Sequence, residues 1–175
     1  VNGEVAAVSS RQGGMLVFET HSGKELGRPG DDKSPIVAAA FSPDSRLLAF
    51  TSGKGVSLWD VSTRGPAGRV ADNIEGIEFL LFAPDGKLFV GRSKTSSLWD
   101  VAANKKVIGD VPLSFASFKS AAFIGNRILA CGNTEGRVEL WDLQSAERTG
   151  LLSVNDAPRG GSAGWITAMA TSPDG

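Results

Sequence analysis

The sequence predicts an all-β fold of stacked, four-stranded antiparallel sheets. Three observations lead there. Ser57-Leu58-Trp59-Asp60-Val61 returns as Ser97-Leu98-Trp99-Asp100-Val101 and as Glu139-Leu140-Trp141-Asp142-Leu143, at steps of 40 and 42 residues. A weaker copy, Leu16-Val17-Phe18-Glu19, lies 41 residues before the first. A turn marker keeps the same time: Phe41-Ser42-Pro43-Asp44-Ser45 returns as Phe82-Ala83-Pro84-Asp85-Gly86, and Thr171-Ser172-Pro173-Asp174-Gly175 repeats it near the end. A fixed period near forty means that each repeat is one supersecondary unit. Short apolar runs alternate with turn residues, and helical periodicity is absent, so the unit is made of strands.

The elements follow in order. Residues 5–9 and 15–19 read as strands, with a weak strand near Glu25-Leu26 and a loop over 28–35. The second unit is clearest: strands at 36–41, 47–51 and 55–61, a loop at 62–68, and a short outer strand at 69–71. The third reads 77–82, 88–91, 96–101 and 105–108. The fourth reads 118–123, 127–131, 137–143 and 148–152. A Gly- and Pro-rich loop, 155–164, then leads into a strand at 165–171. At the Pro-Asp turns, Pro presets φ, Asp bonds to nearby backbone and Gly or Ser closes the chain reversal. The first strand of each unit is apolar or small on both faces, as in Ile36-Val37-Ala38-Ala39-Ala40-Phe41, so it is covered on both. Ile36, Ile77, Phe118 and Ile166 hold equivalent places seven residues before the turn.

Composition narrows the function classes. The 175 residues carry 18 Lys+Arg against 19 Asp+Glu, which gives no basic excess for nucleic acid or an anionic membrane. No apolar run reaches the ~20 residues of a membrane span. With one cysteine (Cys131) and one histidine (His21), neither an internal disulfide nor a Cys/His zinc cluster can form within the chain. The lack of disulfides fits a reducing, cytoplasmic setting.

With two markers in step over nearly the whole chain, the sequence resembles the WD-repeat β-propeller family: Trp-Asp ends the third strand and Ser-Pro-Asp-Gly joins the first two. The resemblance implies a β-propeller of four-stranded antiparallel blades, with about four blades' worth of strands. They form a partial ring, or else a closed four-blade ring in which 165–171 completes the first unit beside 5–9. The units fall at 1–27, 28–71, 72–110, 111–152 and 153–175, the first and last incomplete, within one segment 1–175. The short count reads as a fragment of a longer propeller. Asp60-Val61-Ser62-Thr63 and Ser22-Gly23-Lys24-Glu25-Leu26 look like bacterial members. The family often places Gly-His before the first strand and Asp six residues before the Trp, which form a hydrogen-bonded tetrad with a Ser/Thr and the Trp. Gly-His is absent here, and Gly53, Ser93 and Glu135 stand in the Asp positions, so the tetrad is not expected.

The candidate residues sort against that frame. Trp59, Trp99 and Trp141 could stack on a base or sugar, but at strand ends they read as packing residues. Asp60, Asp100 and Asp142 read as turn caps rather than a carboxylate cluster. His21 is a lone surface histidine in a polar turn, and Cys131 a small buried hydrophobe. Gly160-Gly161-Ser162-Ala163-Gly164 lacks the Lys and helix of a phosphate loop. The resemblance implies a non-catalytic scaffold that presents its loops to proteins or to further domains of the same polypeptide, without cofactor or metal. The alternative is a small-molecule-binding or enzymatic propeller with its site on the channel rim. One face should carry loops 28–35, 72–76, 111–117 and 155–164 with Gln12, Lys54, Lys94 and Glu135. Arg and aromatic residues dominate binding hot spots. Arg92, Phe115, Arg159 and Trp165 are therefore the candidate contacts, with Trp165 and Phe118 alternatively packing into a blade.

Overall fold

Short strands with Pro-Asp and Gly turns between them pair with their sequence neighbours, because a tight turn returns the chain antiparallel to itself. A computed structural model describes residues 4–9, 14–30, 34–52, 54–92, 95–113, 118–153 and 164–171, and the described residues form four antiparallel sheets. The first sheet holds β1 (Val5–Ser9), β2 (Met15–Glu19) and β3 (Glu25–Gly27). The second holds β4 (Ala39–Phe41), β5 (Leu47–Thr51), β6 (Val56–Asp60) and β7 (Gly65–Val70). The third holds β8 (Ile77–Phe82), β9 (Leu88–Arg92), β10 (Ser96–Asp100) and β11 (Lys105–Val111). The fourth holds β12 (Phe118–Ile124), β13 (Ile128–Asn133), β14 (Arg137–Asp142) and β15 (Glu147–Ser153). In each, strand order in space follows strand order in sequence.

Several boundaries differ from the sequence reading. The inner strand expected at 36–41 has ladder pairing only over Ala39–Phe41. Thr51 Oγ1 accepts from the Val37 and Ala38 amides at 2.8 and 3.3 Å, which replaces sheet bonds with side-chain bonds. The outer strand expected at 69–71 begins instead at Gly65, through Gly65-Pro66-Ala67-Gly68. Those residues read as loop, yet an edge strand accepts Pro because its outward N–H has no ladder partner to lose. Residues 165–171, expected as a strand, form no ladder: nothing among the described residues pairs along them.

The repeat is also written in the backbone. At the step next to the aromatic marker, every outer strand carries one extra residue: Leu26, Ala67, Val107 and Thr149. These are β-bulges, and they steepen the local twist. The turn before each outer strand places one residue in the left-handed region: Gly23 (φ 68°), Arg64 (φ 55°), Asn104 (φ 47°) and Ala146 (φ 57°). Only the first is a glycine, so four different residues hold one conformation.

Three hydrophobic clusters fill the spaces between sheets: first with second, second with third, third with fourth. No cluster of the described residues joins the fourth sheet to the first. Trp59 is 5% exposed and packs with Met15, Val17 and Leu26 of the first sheet. Its ring lies so close to Gly27 that a Cβ there would stand 2.8 Å from it. Trp99 and Trp141 take the same place in the next two clusters. Trp59→Ala removes a buried ring from a contact that holds two sheets together, and should cost about 3–5 kcal/mol in urea denaturation. A loss under ~0.5 kcal/mol, as at a surface position, would rule out that packing role.

Candidate functional site

Each Trp-Asp pair divides its work between packing and turn. The Asp side chains look back at the backbone that follows them. Asp60 Oδ1 accepts from the Ser62 and Thr63 amides at 2.8 and 2.9 Å and from the Ser62 hydroxyl at 2.6 Å. The Ser62 hydroxyl, then the Thr63 amide, hold the Asp60 carboxyl below its usual range. Asp100 Oδ1 accepts from the Ala103 amide at 2.9 Å, and Asp142 Oδ1 from the Gln144 amide at 2.9 Å. Asp44 caps its own turn through Ser42 Oγ (2.6 Å) and the Arg46 amide (3.1 Å). These carboxylates spend their lone pairs on turns, and each serves its own blade. Among the described residues no three His, Cys, Asp or Glu side chains gather as a metal site.

The indole N–H groups find local acceptors. Trp99 Nε1 donates to Ser97 Oγ at 2.9 Å, and Trp141 Nε1 to Glu139 Oε2 at 3.0 Å. Both acceptors lie two residues upstream on the same strand, hence on the same face. In the first sheet, where Phe18 has no N–H, that upstream place is Leu16. Two of the Asp positions of the family tetrad, Gly53 and Ser93, lie outside the described residues. The third, Glu135, instead pairs with Arg137 at 3.1 Å.

The loop rim gathers several expected residues. Lys54, in the turn before β6, pairs with Glu75 of loop 72–76 at 2.5 Å, so these two connections share one face. Arg69 braces the same corner: Nη2 donates to the Ser52 and Lys54 carbonyls (3.3 and 3.2 Å), Nη1 to Ser57 Oγ (3.1 Å) and Nε to Asp72 (2.9 Å). The only sequence trace of this clamp is the Arg-Val-Ala-Asp spacing at 69–72. Arg92 ends β9, at the place Asn133 takes one repeat later. Its Nη2 donates to Thr95 Oγ1 at 2.5 Å, while its Nε is buried without a partner among the described residues. Asn133 Oδ1 caps the next turn through the Glu135 and Arg137 amides at 2.9 and 3.0 Å.

Trp165 is 63% exposed, and the next residue is anchored. Ile166 N–H donates to the Asn133 carbonyl at 3.0 Å, and its own carbonyl accepts from Ser120 Oγ at 3.0 Å. Trp165 therefore stands beside the Asn133–Arg137 turn rather than inside a blade. Phe118 packs in the cluster between the third and fourth sheets. Phe115, Arg159, Gln12 and Lys94 lie outside the described residues, as does the glycine run 160–163.

The profile of the family described as "WD domain, G-beta repeat" matches residues 23–60, which run from the turn before β3 to Asp60. That match covers one repeat unit, and the sheets around it have the four-stranded antiparallel form of β-propeller blades. The repeats are similar to telomerase Cajal body protein 1 of Rattus norvegicus, 29% identical over 145 residues, 79% of this chain and 26% of that protein. They are also similar to the guanine nucleotide-binding protein subunit beta of Saccharomyces cerevisiae, 25% identical over 166 residues, 85% of this chain and 38% of that one. The human WD repeat-containing protein 90 is 26% identical over 99 residues, 55% of this chain and 6% of that protein. The chain thus spans well under half the length of these relatives. Among solved structures, the computationally designed Ika8 protein has the same fold. Its TM-score is 0.71 at 17% identity, with 98% of this chain aligned to 51% of that one.

Two local features have measurable consequences. Arg127 Nε donates to Asp142 Oδ2 at 2.7 Å, and this bond, with the Gln144 and Ser145 amides, lowers the carboxyl to about 2. A depressed carboxyl stabilises the fold above its unfolded value near 3.8, and that contribution is lost as pH falls from about 4 to 2. Asp142→Asn should therefore weaken the blades at pH 7, with the gap to the parent closing as pH falls toward 2. A gap that persists at pH 2 would assign the loss to another cause. Burial, and secondarily Glu139, pushes the Cys131 thiol up, and the side chain is 0% exposed. Cys131 should react with a thiol reagent only on unfolding. Rapid labelling of the folded chain at neutral pH would contradict this.

Proposed function

We propose that these blades are a non-catalytic interaction scaffold and a section of a larger WD-repeat ring, with a loop rim that holds a protein partner or another domain of the same polypeptide. The observation that carries this reading is the pairing of an exposed indole with an anchored backbone at Trp165-Ile166. An aromatic side chain held out on ordered backbone loses little entropy on docking, which is how hot spots are built. Arg92, whose Nη2 bonds to Thr95 and whose buried Nε has no partner among the described residues, stands at the matching place of the preceding blade. Two similar proteins support the partner class by their names: a guanine nucleotide-binding protein subunit, and the small ribosomal subunit protein RACK1y of Oryza sativa subsp. japonica, 27% identical over 116 residues, 63% of this chain and 34% of that one. Both are components of assemblies. Asp60, Asp100 and Asp142, the carboxylates of the repeat marker, each bond to their own turn, which supports the non-catalytic reading. The turn phrases at 22–26 and 60–63 support a bacterial type of repeat, although the relatives named above are eukaryotic.

Affinity capture from a lysate, followed by binding measurements with the isolated partner, tests the rim. Trp165→Ala and Arg92→Ala should each weaken binding by roughly thirtyfold, the loss of a ~2 kcal/mol hot spot. Lys87→Ala, in a Pro-Asp turn, should leave binding unchanged. Equal binding by all three variants would remove the rim from the interface. Hydrolase turnover lost on changing a loop carboxylate would overturn the scaffold reading.

A further inference from the structure

A cleft of about 580 Å³ opens between the outer strands of the first and second blades. Arg28, Arg64 and Arg69 line it, and no carboxylate of the described residues does. The charge belongs to this junction rather than to the repeat. Arg28 and Arg69 hold one place on adjacent outer strands, a residue beyond Gly27 and Gly68, which face Val17 and Leu58. In the third and fourth blades the same place falls to Gly109 and Leu151. The left-handed place of Arg64 falls to Asn104 and Ala146. The neighbouring cleft, between the second and third blades, is lined instead by Asp44, Asp85 and Asp100 with one cation, Lys87.

Trp59, which also lines the first cleft, differs from its repeats in one bond. Trp99 and Trp141 donate to the side chain two residues upstream, at 2.9 and 3.0 Å. At Trp59 that side chain is Ser57, whose hydroxyl accepts from Arg69 Nη1 at 3.1 Å instead. The Trp59 indole N–H has no partner among the described residues. Of their fully buried polar side-chain atoms only Arg92 Nε lacks a partner, so Trp59 Nε1 reaches open space. Glu25 and Asp72, which do not line the cleft, each pair with one arginine, Arg28 and Arg69, at 2.9 Å. Arg64 is exposed and pairs with no described residue. The cleft thus holds cationic donors and an open indole N–H, with no anion to answer them.

We propose that this cleft takes an acidic peptide segment of a protein partner, laid extended along β7 with carboxylates at its two ends. The site is distinct from the rim residues Arg92 and Trp165, neither of which lines it. Spacing favours a peptide over a small anion. The cleft runs from Ser52, before β6, to Arg64, beyond its end. The five residues of β6 span about 17 Å. Arg69 stands beside Ser57 near one end of that span, and Arg64 stands at the other. A lone phosphate or carboxylate reaches one end, whereas an extended segment reaches both. Pro66 and the edge of Trp59 offer apolar contact in between.

Trp59 reports on the cleft directly. The chain has four tryptophans, and the indole N–H NMR signal lost in Trp59→Phe assigns this one. Phe18 holds the equivalent place in the first blade, so the ring change suits the fold. A peptide with acidic residues at both ends and leucines between should move the Trp59 signal and leave those of Trp99 and Trp141 in place. Its affinity should fall as salt rises. A lysine-ended counterpart should not move the signal. Arg64→Ala should weaken binding about tenfold, the loss of one charge-assisted hydrogen bond. Ala146 holds the same left-handed conformation in the fourth blade, so this change keeps the turn. A Trp59 signal unmoved at millimolar acidic peptide would overturn the proposal. So would equal binding of the lysine-ended peptide, or unweakened binding by Arg64→Ala. Movement of the signal by inorganic phosphate at the same concentrations as the peptide would leave a small-anion site and overturn the peptide assignment. Trp165→Ala should leave the peptide response unchanged, so failure at the rim and failure at the cleft are read separately.

Discussion

The structure depends on one constraint: each sheet is apolar on both faces, so each must be covered twice. The propeller meets this by making every blade the cover of the next. The faces are complementary in volume as well as polarity. Between the second and third blades, Ala38, Ala40 and Ala49 meet Leu80, Leu88, Val90 and Trp99. Between the third and fourth the sizes are exchanged: Phe79, Leu81 and Phe89 meet Ala121, Leu129 and Cys131. Phe89 lies edge-on to Phe123, with ring centroids 6.3 Å apart at 86°. Close packing fixes the combined volume of a junction and leaves free which side contributes it. The small and large residues can therefore change places between junctions without changing the fold.

This division explains which parts of the fold are legible in the sequence. Trp59, Trp99 and Trp141 mark one edge of three junctions, and the Pro-Asp turns mark the ends of two inner strands. Both marks survive because each answers a requirement that few residues meet: a large ring at a sheet junction, and a local cap on an exposed turn. The left-handed residue of the third turn answers a weaker requirement, since Gly, Arg, Asn and Ala all occupy it. Its period is present in the backbone and invisible in the letters. Gly65–Gly68, the first part of β7, was illegible for a different reason. Its residues have poor strand propensity, and pairing with β6 overrides that propensity at an edge.

The rim was legible in outline only. The period locates the loops, and loops held by a rigid scaffold are where binding concentrates. The bonds that shape them are long-range and are made by residues with no periodic copy. Arg69 reaches across 15 residues to the Lys54 carbonyl, and Ser120 across 46 to the Ile166 carbonyl. Such contacts depend on how blades are juxtaposed, which no local pattern encodes. Arg92 shows the converse: it holds a periodic position, but it departs from the residue types at the equivalent places, Ser52 and Asn133, and its buried Nε has no partner among the described residues.

The same logic applies to the outer faces of the arc. Phe18 stands where Trp59, Trp99 and Trp141 stand, and Leu16 replaces the Ser or Glu that would accept an indole proton. The pair has thus changed together: the acceptor is lost along with the donor, and the face remains apolar. A surface meant for water would instead gain charge at these places, as edge strands commonly do. Val8 beside them is exposed and uncharged, on a sheet in which β1 is the innermost strand among the described residues. An apolar face of this kind is what an adjoining blade covers, as the first sheet covers Trp59 of the second.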